Sequence, residues 1–177
     1  SAGSKVTFVY GPGREKPPKG AKIINVLSSK EMHATVKSEL KKKFDIVIMA
    51  AAIADYVPTV QSKKKIKSSD SIMDISLKKA PKIIDEIKKY QKDVFLVGFK
   101  AETNLTKSQL IKSAEKKLRE SCADMIIAND IGSIRYKKNP QNNQVIIVDS
   151  EKNVVSGWMN KEKIAKIIRK QIEVKIK

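Results

Sequence analysis

Three short apolar runs, each bounded by charged residues, constrain this fold more than any other feature of the sequence. They are FDIVIMAA at 44–51, VFLVGF at 94–99 and DMIIA at 124–128. Apolar residues at consecutive rather than alternate positions mark strands covered on both faces, as in a parallel sheet. Between the runs lie segments of helical character. Pro81 suits the first turn of a helix reaching Tyr90, because its missing N–H is needed least there. A second helix is predicted over 107–121. Strand, helix and strand in this order imply right-handed crossovers between parallel strands.

The flanking segments extend the pattern. KVTFVY at 5–10 reads as a strand ended by Gly11-Pro12-Gly13, and AKIINV at 21–26 as another. Ser28 and Glu31 have the spacing of a capping box, opening a helix to about Lys42 with Met32, Val36 and Leu40 on one face. IMDISL at 72–77 alternates and reads as a half-buried strand. QVIIV at 144–148 and the segment 154–158 flank Ser150-Glu151-Lys152-Asn153 as a hairpin. Asn160 caps a last helix whose stripe is Ile164, Ile167, Ile168 and Ile172. The expected fold is therefore α/β, a Rossmann-like, doubly wound, mainly parallel sheet with an antiparallel hairpin edge. No repeat or linker divides it, so residues 1–177 are expected to form a single domain. A doubly wound sheet normally begins with a strand, a glycine turn and a helix. Here Gly3 stands where a helix-ending glycine would stand, and the first such unit reads as missing.

Composition excludes several chemistries. One cysteine, Cys122, leaves no internal disulfide and no multi-cysteine metal site. Cys122 precedes a buried strand and is expected to be packed. One histidine, His33, means that any catalytic triad must run through it; beside Met32 on a helix it reads as surface or structural. The apolar run 46–54 is too short to cross a bilayer, and a cytoplasmic protein is expected. Lysine and arginine number 37 against 19 acidic residues, a net charge of +18. Only Arg14, Arg119, Arg135 and Arg169 are arginines, and the lysines are spread along the chain. That favours a solvated basic surface over a nucleic-acid reader, which leans on arginine.

In an open α/β sheet, ligands bind at the carboxyl ends of the strands. After the first apolar run come four alanines in five positions and then Asp55. They leave room for a ligand beside the backbone, or they pack against a helix while Asp55 caps a turn. The lysine-rich loop around Lys63, Lys64, Lys65 and Lys67 either meets a polyphosphate, with Asp55 serving magnesium, or is a solvated run. After the second run, Gly98 permits close backbone approach and Phe99 offers a stacking face, unless Phe99 is core. After the third, Asn129 and Asp130 are candidates for a substrate site or for a structural cap. Together these signals point to a nucleotide or phosphate site, although no Walker-type loop or GxGxxG motif is present.

In order along the chain, VTFVYGPG (6–13), AAIADYVP (51–58), KKIK (64–67), APKII (80–84), VGFKAET (97–103) and ADMIIAND (123–130) closely resemble the phosphopantothenate–cysteine ligase family, usually the C-terminal half of a bifunctional coenzyme A biosynthesis protein. The resemblance implies activation of 4′-phosphopantothenate by CTP and magnesium, release of pyrophosphate, and attack of the cysteine amine on an acyl-cytidylate. It implies that the backbone at Met49, Ala50 and Ala51, together with Gly98 and Phe99, holds the nucleotide. Asp55 would bind the nucleotide, Lys65 would be the triphosphate and catalytic lysine of a mobile flap, and Lys117 the first of two nucleotide lysines. It further implies a homodimer joined near 72–77 and a fused decarboxylase. FMN would belong only to that other half. Membrane and nucleic-acid partners are not expected.

The chain departs from the family in two ways. Ser121 stands where the second nucleotide lysine is expected, leaving Lys116 or Arg119 to supply the contact. The family's N-terminal glycine-rich turn and asparagine are absent, so a fragment that alone binds CTP poorly is expected. ATP replaces CTP in eukaryotic relatives, but the flap and AxADY segments look like the CTP-using kind. The alternatives are an inactive relative of the fold and a basic nucleic-acid-binding α/β domain.

Overall fold

The computed structural model describes all residues except 1, 2, 14, 61, 63, 67–71 and 177. The elements follow in chain order: β1 (Thr7–Tyr10), β2 (Lys22–Asn25), α1 (Ser29–Leu40), β3 (Ile46–Met49), β4 (Tyr56–Pro58), β5 (Leu77–Lys79), α2 (Ile84–Tyr90), β6 (Phe95–Glu102), α3 (Lys107–Ser121), β7 (Met125–Asp130), α4 (Ile134–Lys138), β8 (Asn142–Asn143), β9 (Ile146–Asp149), β10 (Asn153–Val155), β11 (Met159–Asn160) and α5 (Lys161–Lys175). Contacts divide the chain into two units, Ser1–Val36 with Ala51–Ile83, and Lys37–Ala50 with Ile84–Lys177.

In the first unit β1 and β2 pair in parallel, Thr7 opposite Lys22 through Tyr10 opposite Asn25. The Tyr10 hydroxyl ties down the intervening loop by donating to the carbonyls of Gly13, at 3.1 Å, and Glu15, at 2.5 Å. The Ser28 cap forms as its spacing predicts, but Glu31 reaches one residue beyond it. Ser28 Oγ accepts from the Glu31 amide at 3.2 Å, and the Glu31 carboxylate accepts from the Leu27 amide at 2.9 Å. β4 and β5 make an antiparallel pair, Tyr56 opposite Lys79 and Pro58 opposite Leu77.

The second unit is built on a five-stranded sheet in the order β10-β9-β7-β6-β3. β3, β6 and β7 are parallel; β7, β9 and β10 are antiparallel. One face carries Val97, Met125, Ile127 and Ile147, packed with Ile164, Ile168 and Ile172 of α5. Each of those isoleucines contributes about 1.5–3 kcal/mol by leaving water. On the other face, Ile84 of α2 lies over Gly98 and Ile126. α3 opens on a full capping box, Thr106 with Gln109, and α5 on Asn160, whose side chain accepts from the Lys163 amide. Two helix layers on a mainly parallel sheet with an antiparallel edge is the expected fold class.

Five expectations are corrected. The run at 44–51 is not a central strand: β3 is at the edge of its sheet, and Ile48 is 54% exposed. Residues 72–76 form no strand; the strand lies at 77–79, and the whole stretch 72–79 is exposed. Pro81 stands before α2, not in its first turn. β6 runs past Phe99 to Glu102 because β7 continues beside it. Cys122 is exposed; it ends α3 in the left-handed conformation at φ 51. β4, α4, β8 and β11 are too short for any hydrophobic period to announce them.

Candidate functional site

Strand registers place the second unit's candidate residues. Met49, the last residue of β3, pairs with Gly98, which pairs in turn with Ile126. β6 outruns β3, so beyond Gly98 its β3-facing side forms a rim. Phe99 stands on that rim, 38% exposed. Gly98 itself leaves room for two isoleucine side chains. A Cβ there would lie 2.5 Å from Ile84 Cδ1 and 2.8 Å from Ile126 Cδ1. The close approach that Gly98 permits on this face is made by α2.

Lys117 sits on α3, 9% exposed, and its Nζ lies 2.6 Å from Asp85 Oδ1. α2 is anchored at a second point, where Lys88 Nζ lies 2.7 Å from the Asp124 carboxylate, which also accepts from the Leu96 amide at 2.7 Å. At the end of β6, Glu102 accepts from the Ser113 hydroxyl at 2.6 Å and pairs with Lys100 at 3.1 Å. The Ser113 hydrogen bond foremost, with Lys100, holds Glu102 below the ordinary carboxylate range despite partial burial. Asp130 is structural: its Oδ1 accepts from the Asn104 amide at 2.9 Å and the Gly132 amide at 2.8 Å. It thereby latches the loop after β6 to the loop after β7. Asn129 is buried at the end of β7.

In the first unit, Asp55 stands at the open end of the β4–β5 pair, where its carbonyl accepts from the Ala80 amide at 2.8 Å. Its carboxylate is 69% exposed, and Lys82 Nζ is 4.0 Å away. Ala51, Ala52 and Ala54 are exposed, not packed under a helix. Lys65 is exposed in the segment joining β4 to β5. Of its neighbours, Lys64 is described, its amide donating to Ser62 Oγ at 3.2 Å, whereas Lys63 and Lys67 lie outside the described residues. Among the described residues no group of three or more His, Cys, Asp or Glu side chains could hold a metal ion.

The family described as the DNA/pantothenate metabolism flavoprotein C-terminal domain matches residues 1–175. This chain belongs to that family. It is 36% identical over 151 residues to a coenzyme A biosynthesis bifunctional protein CoaBC of Thermococcus kodakarensis, covering 85% of this chain and 36% of that protein. A structure of the DNA/pantothenate metabolism flavoprotein from Streptococcus pneumoniae superposes with a TM-score of 0.82 at 25% identity, covering 98% of this chain and 82% of that one. The C-terminal domain of a CoaBC protein does so at 0.77 and 26% identity, covering 97% and 76%. The chain spans 36% and 42% of the length of the first two curated relatives it matches.

The site residues expected from the sequence fall in both units. Met49, Ala50, Gly98, Phe99, Lys117, Asn129 and Asp130 lie in the second, and Ala51, Asp55 and Lys65 in the first. Register brings Met49 to Gly98. Ser121 brings no charge: it is 2% exposed, and its hydroxyl donates to the Lys117 carbonyl at 2.7 Å. Of its proposed substitutes, Lys116 is exposed and pairs with Glu120 at 3.8 Å, and Arg119 is exposed. His33 is half-buried on α1. Sequence reasoning missed Asp85. Its signal was an acidic residue opening a helix, but only folding brings it to Lys117, 32 residues away.

Proposed function

We propose that residues 1–177 act as one ligase domain that joins 4′-phosphopantothenate to cysteine in coenzyme A biosynthesis. The observation that carries this reading is the match of nearly the whole chain to a family whose similar members include CoaBC proteins. A carboxylate oxygen of 4′-phosphopantothenate attacks the α-phosphorus of CTP and pyrophosphate leaves. The cysteine amine then attacks the acyl carbon of the acyl-cytidylate and CMP leaves.

The residues present suit these steps. Negative charge builds on the α-phosphate and the departing pyrophosphate, and Lys65, exposed between β4 and β5, is placed to meet it. Phe99 supplies a ring for the base, and the rim of β6 supplies backbone donors and acceptors. Asp55 is one open carboxylate, which fits a magnesium ion carried in by the triphosphate rather than a site built by protein alone. Magnesium so held would neutralise phosphate charge. The domain is cytoplasmic and works beside a decarboxylase half that alone uses FMN. It pairs with a second copy through Ile72, Met73, Ile75 and Leu77, all more than half exposed at 78%, 57%, 60% and 55%.

Pyrophosphate release tests the reading, with 4′-phosphopantothenate, magnesium and either CTP or ATP. The assay uses this chain and a version extended upstream by the family's glycine-rich turn. Release with CTP from the extended version is expected. Release with ATP alone would change the nucleotide. No release from either folded protein would overturn the ligase reading in favour of an inactive relative, or of a nucleic-acid binder if DNA affinity then falls steeply with salt.

A further inference from the structure

We propose that Asp85 is the positioning residue of Lys117, an inference that rests on the ligase reading above. Lys117 is 9% exposed, too buried for its ammonium to be held in place by water. An uncompensated charge at such a site is costly, and a carboxylate within hydrogen-bond distance relieves that cost. Asp85 Oδ1, 2.6 Å from Nζ, is that carboxylate.

The pair is anchored from both sides. Asp85 follows Ile84, whose Cδ1 fills the space that a side chain at Gly98 would take. α2 is tied a second time through Lys88 and Asp124, at 2.7 Å. On the other side, Lys117 belongs to a helix capped at both ends, with Ser121 hydrogen-bonded to its carbonyl. The position of the ammonium relative to the Gly98 backbone is thus set by packing and by one charged hydrogen bond. An ammonium has three donors. With one committed to Asp85, two remain for a ligand on a side chain already held in one rotamer, which lowers the entropy lost when a nucleotide binds. In this arrangement Asp85 acts through Lys117.

The test is CTP–magnesium binding by calorimetry, and the KM for CTP, in the version extended upstream by the family's glycine-rich turn, carrying Asp85→Asn, Asp85→Glu, Lys117→Met or the double variant Asp85→Asn/Lys117→Met. Asp85→Asn should weaken CTP about tenfold, with the KM for 4′-phosphopantothenate unchanged. Asp85→Glu, which keeps the charge, should recover part of that loss. In the Lys117→Met background, Asp85→Asn should cost nothing more, because the coupling runs through that ammonium. A merely structural Asp85 would lower the affinity for both substrates and persist in the Lys117→Met background; either result overturns the proposal. If Asp85→Asn does not fold, Asp85→Glu decides: CTP affinity within twofold of the parent, in a folded protein, overturns it. A folded parent that binds no CTP would overturn the ligase reading and this inference together. A parent that binds CTP and is indifferent to Asp85 would overturn this inference alone.

Discussion

The rim of β6 and β7 and the β4–β5 pair both carry charged residues of the expected site, but they treat them in opposite ways. At the rim and on α3, Glu102, Asp130 and Lys117 each have a protein partner between 2.6 and 2.9 Å away. At the hairpin, Asp55 meets only Lys82, at 4.0 Å, among its described ion pairs, and all of 72–79 is exposed. A charge already held by protein contributes to folding. A charge left in water contributes little to folding, since exposed ion pairs are worth about 0–1 kcal/mol, and is available to a ligand. Substitutions of Glu102 and Asp130 should therefore register as lost stability, and those in the second region as lost activity.

The strongest challenge to this contrast is Gly132→Ala. A Cβ there would lie 2.7 Å from the Asn104 amide nitrogen and 2.9 Å from Thr103 Cα, backbone atoms that move only if the Asp130 latch opens. Urea unfolding should show a loss of about 3 kcal/mol, at the upper end of overpacking costs; a loss under about 0.5 kcal/mol would mean that the latch is loose. Lys65→Ala should do the reverse. Pyrophosphate release from the extended protein should fall about 100-fold, as for loss of one transition-state donor, with an unchanged melting temperature. Asp55→Ala should weaken CTP more than 4′-phosphopantothenate, and an equal loss of both would point to misfolding.

Asp149 sharpens the comparison with a smaller effect. Burial alone would raise its pKa, but the Glu151 and Lys152 amides and the Lys175 ammonium outweigh burial and hold it below its ordinary 3.8. The folded carboxyl therefore ionises more readily than the unfolded one. Its stabilisation is complete above the unfolded value and is lost as pH falls through the folded value. Asp149→Asn should cost about 1 kcal/mol near neutrality and reduce the drop in urea midpoint between pH 6 and pH 3. Part of the drop should remain, because Glu102 is lowered in the same direction. The smallest effect is expected at Cys122, exposed at φ 51. Cys122→Gly should stabilise the protein by about 0.5 kcal/mol, since glycine carries no Cβ into the left-handed region. A loss of stability would restore the packed role that its place in the sequence suggested.

Residues near one another in the chain were legible from the sequence. Ser28 with Glu31 and Asn160 with Lys163 form caps because three-residue spacing is set by helix geometry alone. The stripe of α5 and the apolar runs of β6 and β7 follow equally local periods, and with them the fold class. Tertiary structure decided what no period encodes. β3 reads like a central strand, yet it lies at an edge, because burial depends on what the chain places beside it. Gly98 reads like a ligand glycine, yet it accommodates Ile84. Lys117 reads like a free cation, yet it is bound to Asp85. Each outcome depends on contacts between segments far apart in sequence, which form only when sheet and helices pack together.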